Sequence, residues 1–438
     1  MMNDQHDDSP DASRRRFLAL TGAGAAASML PWAAETAFAA DPAQTLRIGF
    51  ISPLTGPLAG FGQSDPFVLD LVRKKTGGKV QVGGKAWAFE LIARDTQSDP
   101  SRASQLAKDL INGQKIDLML TTSTPEVVNP VADACEAAGV PCLSTIEPWE
   151  SWYFGRGGKP GQPSPFRWTY HFCFGTAQFA EMYVSIWRGL STNKKVGVLY
   201  PNDADGNALR AHLVPELQKA GFSVVDPGAY QDGTTDYSAQ IAKFKSAGIE
   251  ILTAAPIPSD FIVFMRQAAQ QGLARSLKIC TPAKFGEFPS DIQALAGLGL
   301  GMTTGAYWCP VFPYASPVTG MNSLQLTDAY QSTTGKHWTQ QLGATMSLID
   351  AGFAALKNSG NPKNKAAVAK ALGTLDVVTT IGRVNFPKGP VPNVATTPLI
   401  GAQWVKTKPG SRFPLDLVTI EHACDPHVPV QAKLLPYA

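Results

Sequence analysis

LRIGFISPLTGPLAGFG, residues 46–62, reads as a buried strand that runs into a loop and then a helix. Leu46, Ile48, Phe50 and Ile51 supply the apolar side chains of the strand, and Pro53, Gly56, Pro57, Gly60 and Gly62 break it. The helix is expected from about Pro66. A strand feeding a glycine-rich loop and a helix N-terminus is a common ligand-receiving corner of an α/β sheet. The loop has neither the G-x-x-x-x-G-K-[ST] nor the G-x-G-x-x-G spacing, so a small polar ligand is expected there in place of a nucleotide phosphate.

Residues 1–40 read as an export signal and not as part of the fold. Ser13, Arg14, Arg15, Arg16, Phe17 and Leu18 match the twin-arginine consensus, a mildly apolar run covers 18–34, and Ala37, Phe38 and Ala39 form a small-x-small cleavage site. The run is too short and too weakly apolar for a retained anchor, and no Cys follows it to carry a lipid. The mature protein is expected to start near Ala40 or Asp41 and to work in the periplasm.

Of the 438 residues, 44% are apolar and the formal net charge is +3. That is the balance of an ordinary globular protein, and the roughly 400 residues beyond the signal correspond to two or three domain-sized units. No basic cluster interleaved with aromatics points to nucleic acid, and no later segment approaches the run of about 18 apolar residues that spans a membrane. The six cysteines (Cys135, Cys142, Cys173, Cys280, Cys309 and Cys424) have no C-x-x-C zinc spacing and are too few for a disulfide scaffold. In an oxidising compartment some can pair. Cys135, near the end of a predicted helix, and Cys142, at the start of the next strand, are the expected bridge; two buried thiols are the alternative.

Strands and helices alternate along the mature chain. Strands are expected at 89–93, 117–121 and 140–144, with helices at 101–112 and 127–138, followed by a Gly/Pro-rich surface loop over 154–165. A second series has strands at 196–200, 222–227, 249–254 and 277–281 and helices at 208–220, 237–247 and 261–271. Two runs of βαβα units imply two parallel sheets covered by helices, hence two α/β lobes. Further on, 323–334 and 342–358 read as helices, and 383–386 and 398–405 as strands. These late elements either form a third domain or cross back to complete the first lobe and then the second.

Several stretches resemble, in order, the leucine/isoleucine/valine-binding family of periplasmic substrate-binding proteins of ABC transporters. They are IGFISPLTGPLAGFG at 48–62, TTSTPEVVNPVADACEAAGVPCLST at 121–145, VGVLYPNDADGNALRAHL at 196–213, QDGTTDYSAQIAKFKSAGIEIL at 231–252 and AAPIPSDFIVFMRQAAQQG at 254–272. The resemblance implies the type I periplasmic binding fold: an α/β protein of two doubly wound, Rossmann-like lobes joined by a three-crossover hinge, with the ligand cleft between them. The N-terminal lobe would be 41–172 plus 309–375 and the C-terminal lobe 173–308 plus 376–438. It also implies a monomer that captures a small molecule by hinge closure and delivers it to a membrane permease, with no cofactor and no catalysis. A ligand sensor that passes its ligand to a membrane receptor uses the same fold, and plain branched-chain amino-acid binding is a further alternative.

Site residues follow from the resemblance position by position. Phe61 falls where the family has an aromatic against the ligand, and Gly62 beside it permits close backbone approach. Thr122, Ser123 and Thr124 match the hydroxyl-rich loop that binds a carboxylate at a helix N-terminus, although Ser123 with Glu126 also has capping-box spacing. Glu147, Pro148 and Trp149 replace a second, small-residue carboxylate turn. Phe174 and Trp308 belong to an aromatic group expected near the cleft with Trp152, Tyr153, Phe285 and Tyr307. Asp205 and Ile257 (with Pro256 and Pro258) are expected from the second lobe. Lys284, in TPAKFGE, falls where amino-acid receptors carry a Glu for the ligand's ammonium group. A lysine there meets an anion or points to solvent. The ligand would then be an anion without an amino group, an aromatic or short-chain carboxylate in preference to leucine.

An exported hydrolase would need a nucleophile beside a base. The chain has no G-x-S-x-G elbow, and its mature histidines (His171, His212, His337, His422 and His427) are scattered, with only His171 near the hinge. His422, Cys424, Asp425 and His427 have metal-ligand character but lie in the tail, far from the cleft motifs.

Overall fold

The computed structural model describes residues 44–437; the signal-peptide motifs lie outside the described residues. The first lobe opens with β1 (Thr45–Ser52), α1 (Asp65–Thr76), β2 (Lys79–Val82), β3 (Lys85–Asp95) and α2 (Pro100–Asn112). It continues with β4 (Leu118–Thr122), α3 (Pro125–Ala138), β5 (Cys142–Thr145), α4 (Trp149–Tyr153) and β6 (Thr169–Phe172). The second lobe runs through α5 (Thr176–Arg188), β7 (Lys195–Leu199), α6 (Ala204–Ala208), α7 (Val214–Lys219), β8 (Ser223–Val225) and α8 (Ser238–Ala247). It then adds β9 (Ile251–Ala254), α9 (Pro258–Gln270), β10 (Ile279–Pro282), α10 (Pro289–Ala294) and β11 (Thr303–Ala306). The chain returns through α11 (Ser323–Thr334), α12 (Gln341–Asn358), α13 (Lys365–Gly373), β12 (Asp376–Thr379), β13 (Gly382–Asn385) and β14 (Val394–Ala395). It ends with β15 (Ile400–Lys406) and β16 (Leu415–Thr419).

The apolar run that opens the domain becomes a central strand. β1 lies between β3 and β4, parallel to both, with Leu46, Ile48, Phe50 and Ile51 buried. Among the described residues the first lobe's sheet has the order β14-β6-β5-β4-β1-β3-β2. The second lobe has a parallel sheet of order β10-β9-β7-β8 beside an antiparallel one of order β11-β15-β16. Helix boundaries follow local chemistry. Asp99 caps α2 by accepting from the Arg102 N–H, and Pro100 takes its first turn. The helix buries Ala103, Ala107, Leu110 and Ile111 on one stripe. Pro125 starts α3 and Gly139, at φ +67°, ends it.

The late elements cross back, as one of the two alternatives anticipated. α12 is buried along nearly its whole length against the first lobe, where Thr345 donates to Asp65 of α1 at 2.6 Å. The expected lobe boundary at 376 is corrected by the strand pairing. β14 pairs in parallel with β6, in the register Val394–His171 and Ala395–Phe172, so the chain stays with the first lobe through Ala395. It enters the second only with β15, which pairs with β11. The three crossovers therefore lie between β6 and α5, between β11 and α11, and between β14 and β15.

The expected Cys135–Cys142 bridge is absent: both are free, buried thiols. They sit among Ile51, Met119, Val131 and Val140 in an apolar cluster, an environment in which Cys packs as a small hydrophobe. No helix among the described residues is long and apolar enough to cross a membrane.

Candidate ligand-binding site

Strands β1, β4, β5 and β6 of the first lobe and β7, β9 and β10 of the second deliver the loops at their C-terminal ends toward one cavity, the placement expected of doubly wound sheets. From the first lobe come Phe61 after β1, Ser123 and Thr124 after β4, Ile146, Glu147 and Pro148 after β5, and Phe174 after β6. From the second come Phe179, Asp205, Leu209, Ala255 after β9, and Ala283, Lys284 and Glu287 after β10. The cavity they enclose is small, about 30 Å³.

The hydroxyl-rich turn lies at the end of β4. Thr122, Ser123 and Thr124 are buried, and none of their side-chain oxygens has a hydrogen-bond partner. The capping-box alternative is not what the geometry displays, because Thr124 stands at the N-cap of α3 and makes no side-chain capping bond. The positive end of the helix faces this turn; Pro125 has no N–H, and the Val127 and Val128 N–H groups donate to the Thr124 carbonyl at 3.0 Å. Ser123 holds φ +125° and Ile146, on the neighbouring turn after β5, holds φ +90°. Such conformations cost about 1–3 kcal/mol each in non-glycine residues and persist where the surroundings impose them.

Glu147 is 1% exposed and neither of its carboxylate oxygens has a partner. Burial, with Asp205 and Glu126 nearby, raises its carboxyl well above the ordinary range. Its backbone is fixed from behind. His171 Nε2 donates to the Glu147 carbonyl at 2.9 Å, and Ser144 meets Nδ1 at 2.9 Å. A carbonyl only accepts, so this contact assigns the ring proton to Nε2. Burial keeps the imidazole neutral, lowering it to about 3, and Trp152 stacks on it at 5.3 Å.

Lys284 reaches the cavity but does not offer a free charge, which corrects the expectation drawn from its position. Its Nζ lies 2.9 Å from Asp205 and 3.1 Å from Asp203. Burial opposes its charge, but Asp203, Asp205 and Glu126 outweigh that and hold the ammonium well above the usual lysine range. Burial also raises Asp205, against the pull of Lys284. Glu287 accepts from Tyr307 Oη at 2.7 Å and Gln341 Nε2 at 2.8 Å, and burial raises its carboxyl to about 8.

Other expected residues divide. Phe61 lines the cavity and meets Phe288 edge-on at 4.9 Å, and Phe174 stacks on Tyr307 at 5.6 Å. Gly62 lies in a wider groove outside, and the close approach it permits is to its own chain: a Cβ would stand 2.4 Å from the Pro53 carbonyl oxygen. Trp149 is not in the lining; its indole packs against Phe154 and over Gly175, where a Cβ would stand 2.1 Å from Nε1. Trp308 is core, donating to Ser323 at 3.1 Å and meeting Trp338 edge-on at 5.9 Å. Ile257 is half-buried at the start of α9, and Ala255 takes the lining place. Ile146, Phe179, Leu209, Ala283 and Glu287 were not anticipated. Glu287 sits three residues after Lys284 in the quoted motif, but the apolar four carry no sequence signal that separates lining from core. No group of three or more His, Cys, Asp or Glu side chains that could hold a metal occurs among the described residues.

Two α/β lobes whose loops converge on one cavity lined by apolar and ionisable side chains define a two-lobed small-molecule receptor. The chain belongs to the periplasmic binding protein family, whose model matches residues 45–408, and that family is extracytoplasmic. It is similar to the Leu/Ile/Val-binding protein homolog 3 of Brucella melitensis, at 25% identity over 82% of this chain and 92% of the relative. Its fold is that of the branched-chain amino acid transporter substrate-binding protein of Streptococcus pneumoniae in complex with isoleucine, with a TM-score of 0.66 and 15% identity over 86% and 99% of the two chains. It is shared with a solute-binding protein of an ABC transporter from Rhodopseudomonas palustris in complex with 3,4-dihydroxybenzoic acid, with a TM-score of 0.66 and 19% identity over 87% and 99%.

Proposed function

We propose that this protein is a periplasmic receptor of an ABC importer, exported by the twin-arginine route, which closes its lobes as a monomer on a small carboxylate and delivers it to a membrane permease. The observation that carries the carboxylate is the turn at Thr122, Ser123 and Thr124, with three buried, unpartnered hydroxyls at the N-terminus of the 14-residue α3. Hydroxyls and the helix dipole together favour an anion. Phe61, Phe174, Phe179, Leu209 and Ile146 offer apolar faces to the rest of the molecule. Isoleucine and 3,4-dihydroxybenzoic acid, the ligands named with two proteins of this fold, both carry a carboxylate. They differ in what else they carry.

A thermal-shift screen over aliphatic and aromatic carboxylates, amino acids, amides and sugars tests this reading. A ligand at a hundred times its Kd adds about 2.7 kcal/mol to the folded state. At least one carboxylate is expected to raise Tm, and Ser123→Ala with Thr124→Ala to abolish the rise. Stabilisation by uncharged amides or sugars alone would overturn the carboxylate.

A further inference from the structure

We propose that the groove outside Phe61 is an outer compartment of the ligand site, and that the protein takes an elongated carboxylate whose uncharged, apolar tail passes Phe61 and lies between the lobes. This rests on the carboxylate reading of the hydroxyl turn.

The inner cavity, at about 30 Å³, has room for about two water molecules, whereas small-molecule sites run to about 300–1,000 Å³. A carboxylate seated on the Ser123–Thr124 turn therefore needs a wall to give way. The groove between the loop after β1 and the starts of α9 and α10 measures about 670 Å³. Among the described residues Phe61 is the one that lines both spaces, so its side chain is the partition between them. The second lobe places the two spaces end to end with consecutive residues, Glu287 in the cavity and Phe288 in the groove.

The partition is closed by a contact between the lobes. Phe61 sits on a single 3₁₀ turn, Ala59–Gly62, with a glycine on either side. It meets Phe288 edge-on at 4.9 Å, and a Cβ on Gly60 would stand 2.9 Å from the same ring. This contact loosens whenever the lobes part, and the Phe61 ring can then turn aside without disturbing either sheet. The groove beyond it suits an apolar tail. Leu54, Pro57, Pro66, Pro258 and Ile262 supply apolar walls, and the two charged lining residues, Asp291 and Lys336, have opposite signs. Neither sign of charge on the tail is favoured, and burial of its apolar surface is.

Isothermal titration of the purified protein with benzoate, 3-phenylpropionate, 5-phenylpentanoate, 7-phenylheptanoate and 7-phenylheptan-1-ol tests this. The longest acid is expected to bind about tenfold or more tighter than benzoate, since each methylene that enters the groove leaves water. Ser259→Trp, which fills the groove from an exposed position, is expected to remove most of that gain while the variant melts cooperatively. Benzoate that binds as tightly as the longest acid, or a gain that persists in Ser259→Trp, overturns the outer compartment and leaves the carboxylate reading standing. An alcohol that binds as tightly as its acid keeps the groove and overturns the carboxylate. Failure of all five to bind overturns both.

Discussion

Lys284 and Asp205 form a buried ion pair at 2.9 Å, with side chains only 7% and 4% exposed, and Asp203 joins them at 3.1 Å. Breaking a buried pair from one side leaves uncompensated charge and costs about 3–5 kcal/mol. Lys284→Met is therefore expected to lose that much in urea denaturation. Adding Asp203→Asn and Asp205→Asn is expected to restore most of it. A single variant as stable as the parent would mean that the two aspartates are not charged together in the folded protein.

Stability is expected to fall as the pH rises from about 5 to 8. Burial raises the Glu287 carboxyl from its ordinary 4.5 to about 8, so between those values the folded state keeps a proton that the unfolded state releases. Its contribution is complete below 4.5 and is lost as the pH climbs through about 8. The slope is at most about 1.4 kcal/mol per pH unit for one group. Glu147, raised by burial as well, acts with the same sign. Glu287→Gln, whose amide oxygen still accepts from Tyr307 and Gln341, is expected to flatten the curve of Tm against pH.

Ser123 carries a conformation suited to glycine, at φ +125°. Ser123→Gly relieves strain but adds unfolded-state entropy, for a net gain of about 1 kcal/mol. The same change removes a hydroxyl from the cavity. Higher Tm with weaker ligand binding is the expected pair of results, and a variant that gains or loses both together would contradict it.

Gly175, at the first crossover, lies under Trp149 and beside Glu150, with room for no Cβ. Gly175→Ala is expected to cost about 1–3 kcal/mol through overpacking. Because the glycine joins β6 to α5, the change should also alter the ligand-induced compaction measured by small-angle scattering. Unchanged stability would show that Trp149 has room to move aside.

Apolar periodicity located most of the strands and helices of both lobes, because a strand or helix is specified by neighbours one to four positions away. The helix at 323–334 matches α11 end to end, and the strand at 89–93 lies inside β3. β14 escaped because two residues carry no period. Its membership in the first lobe rests on pairing with β6 more than 200 positions earlier in the chain. Phe61, Ser123, Thr124, Glu147, Asp205 and Lys284 were legible as cavity residues because loops at strand ends keep their place in the fold, whereas Thr122, the last residue of β4, is not in the lining. Trp149 and Trp308 were not, since an aromatic side chain looks the same in sequence whether it faces a cavity or the core.

The chain's sequence by itself determined the alternation of strands and helices, the glycine-rich corner after β1 and the order of the two lobes. Tertiary structure alone decided which charges are spent. Lys284 meets Asp203 from 81 positions away, and Thr345 meets Asp65 from 280. It also decided that Cys135 and Cys142 rest as thiols in an apolar cluster and that Glu147 stands without a partner. The reason is physical: local periodicity fixes backbone hydrogen bonding, whereas the state of a buried ionisable group depends on every element packed around it.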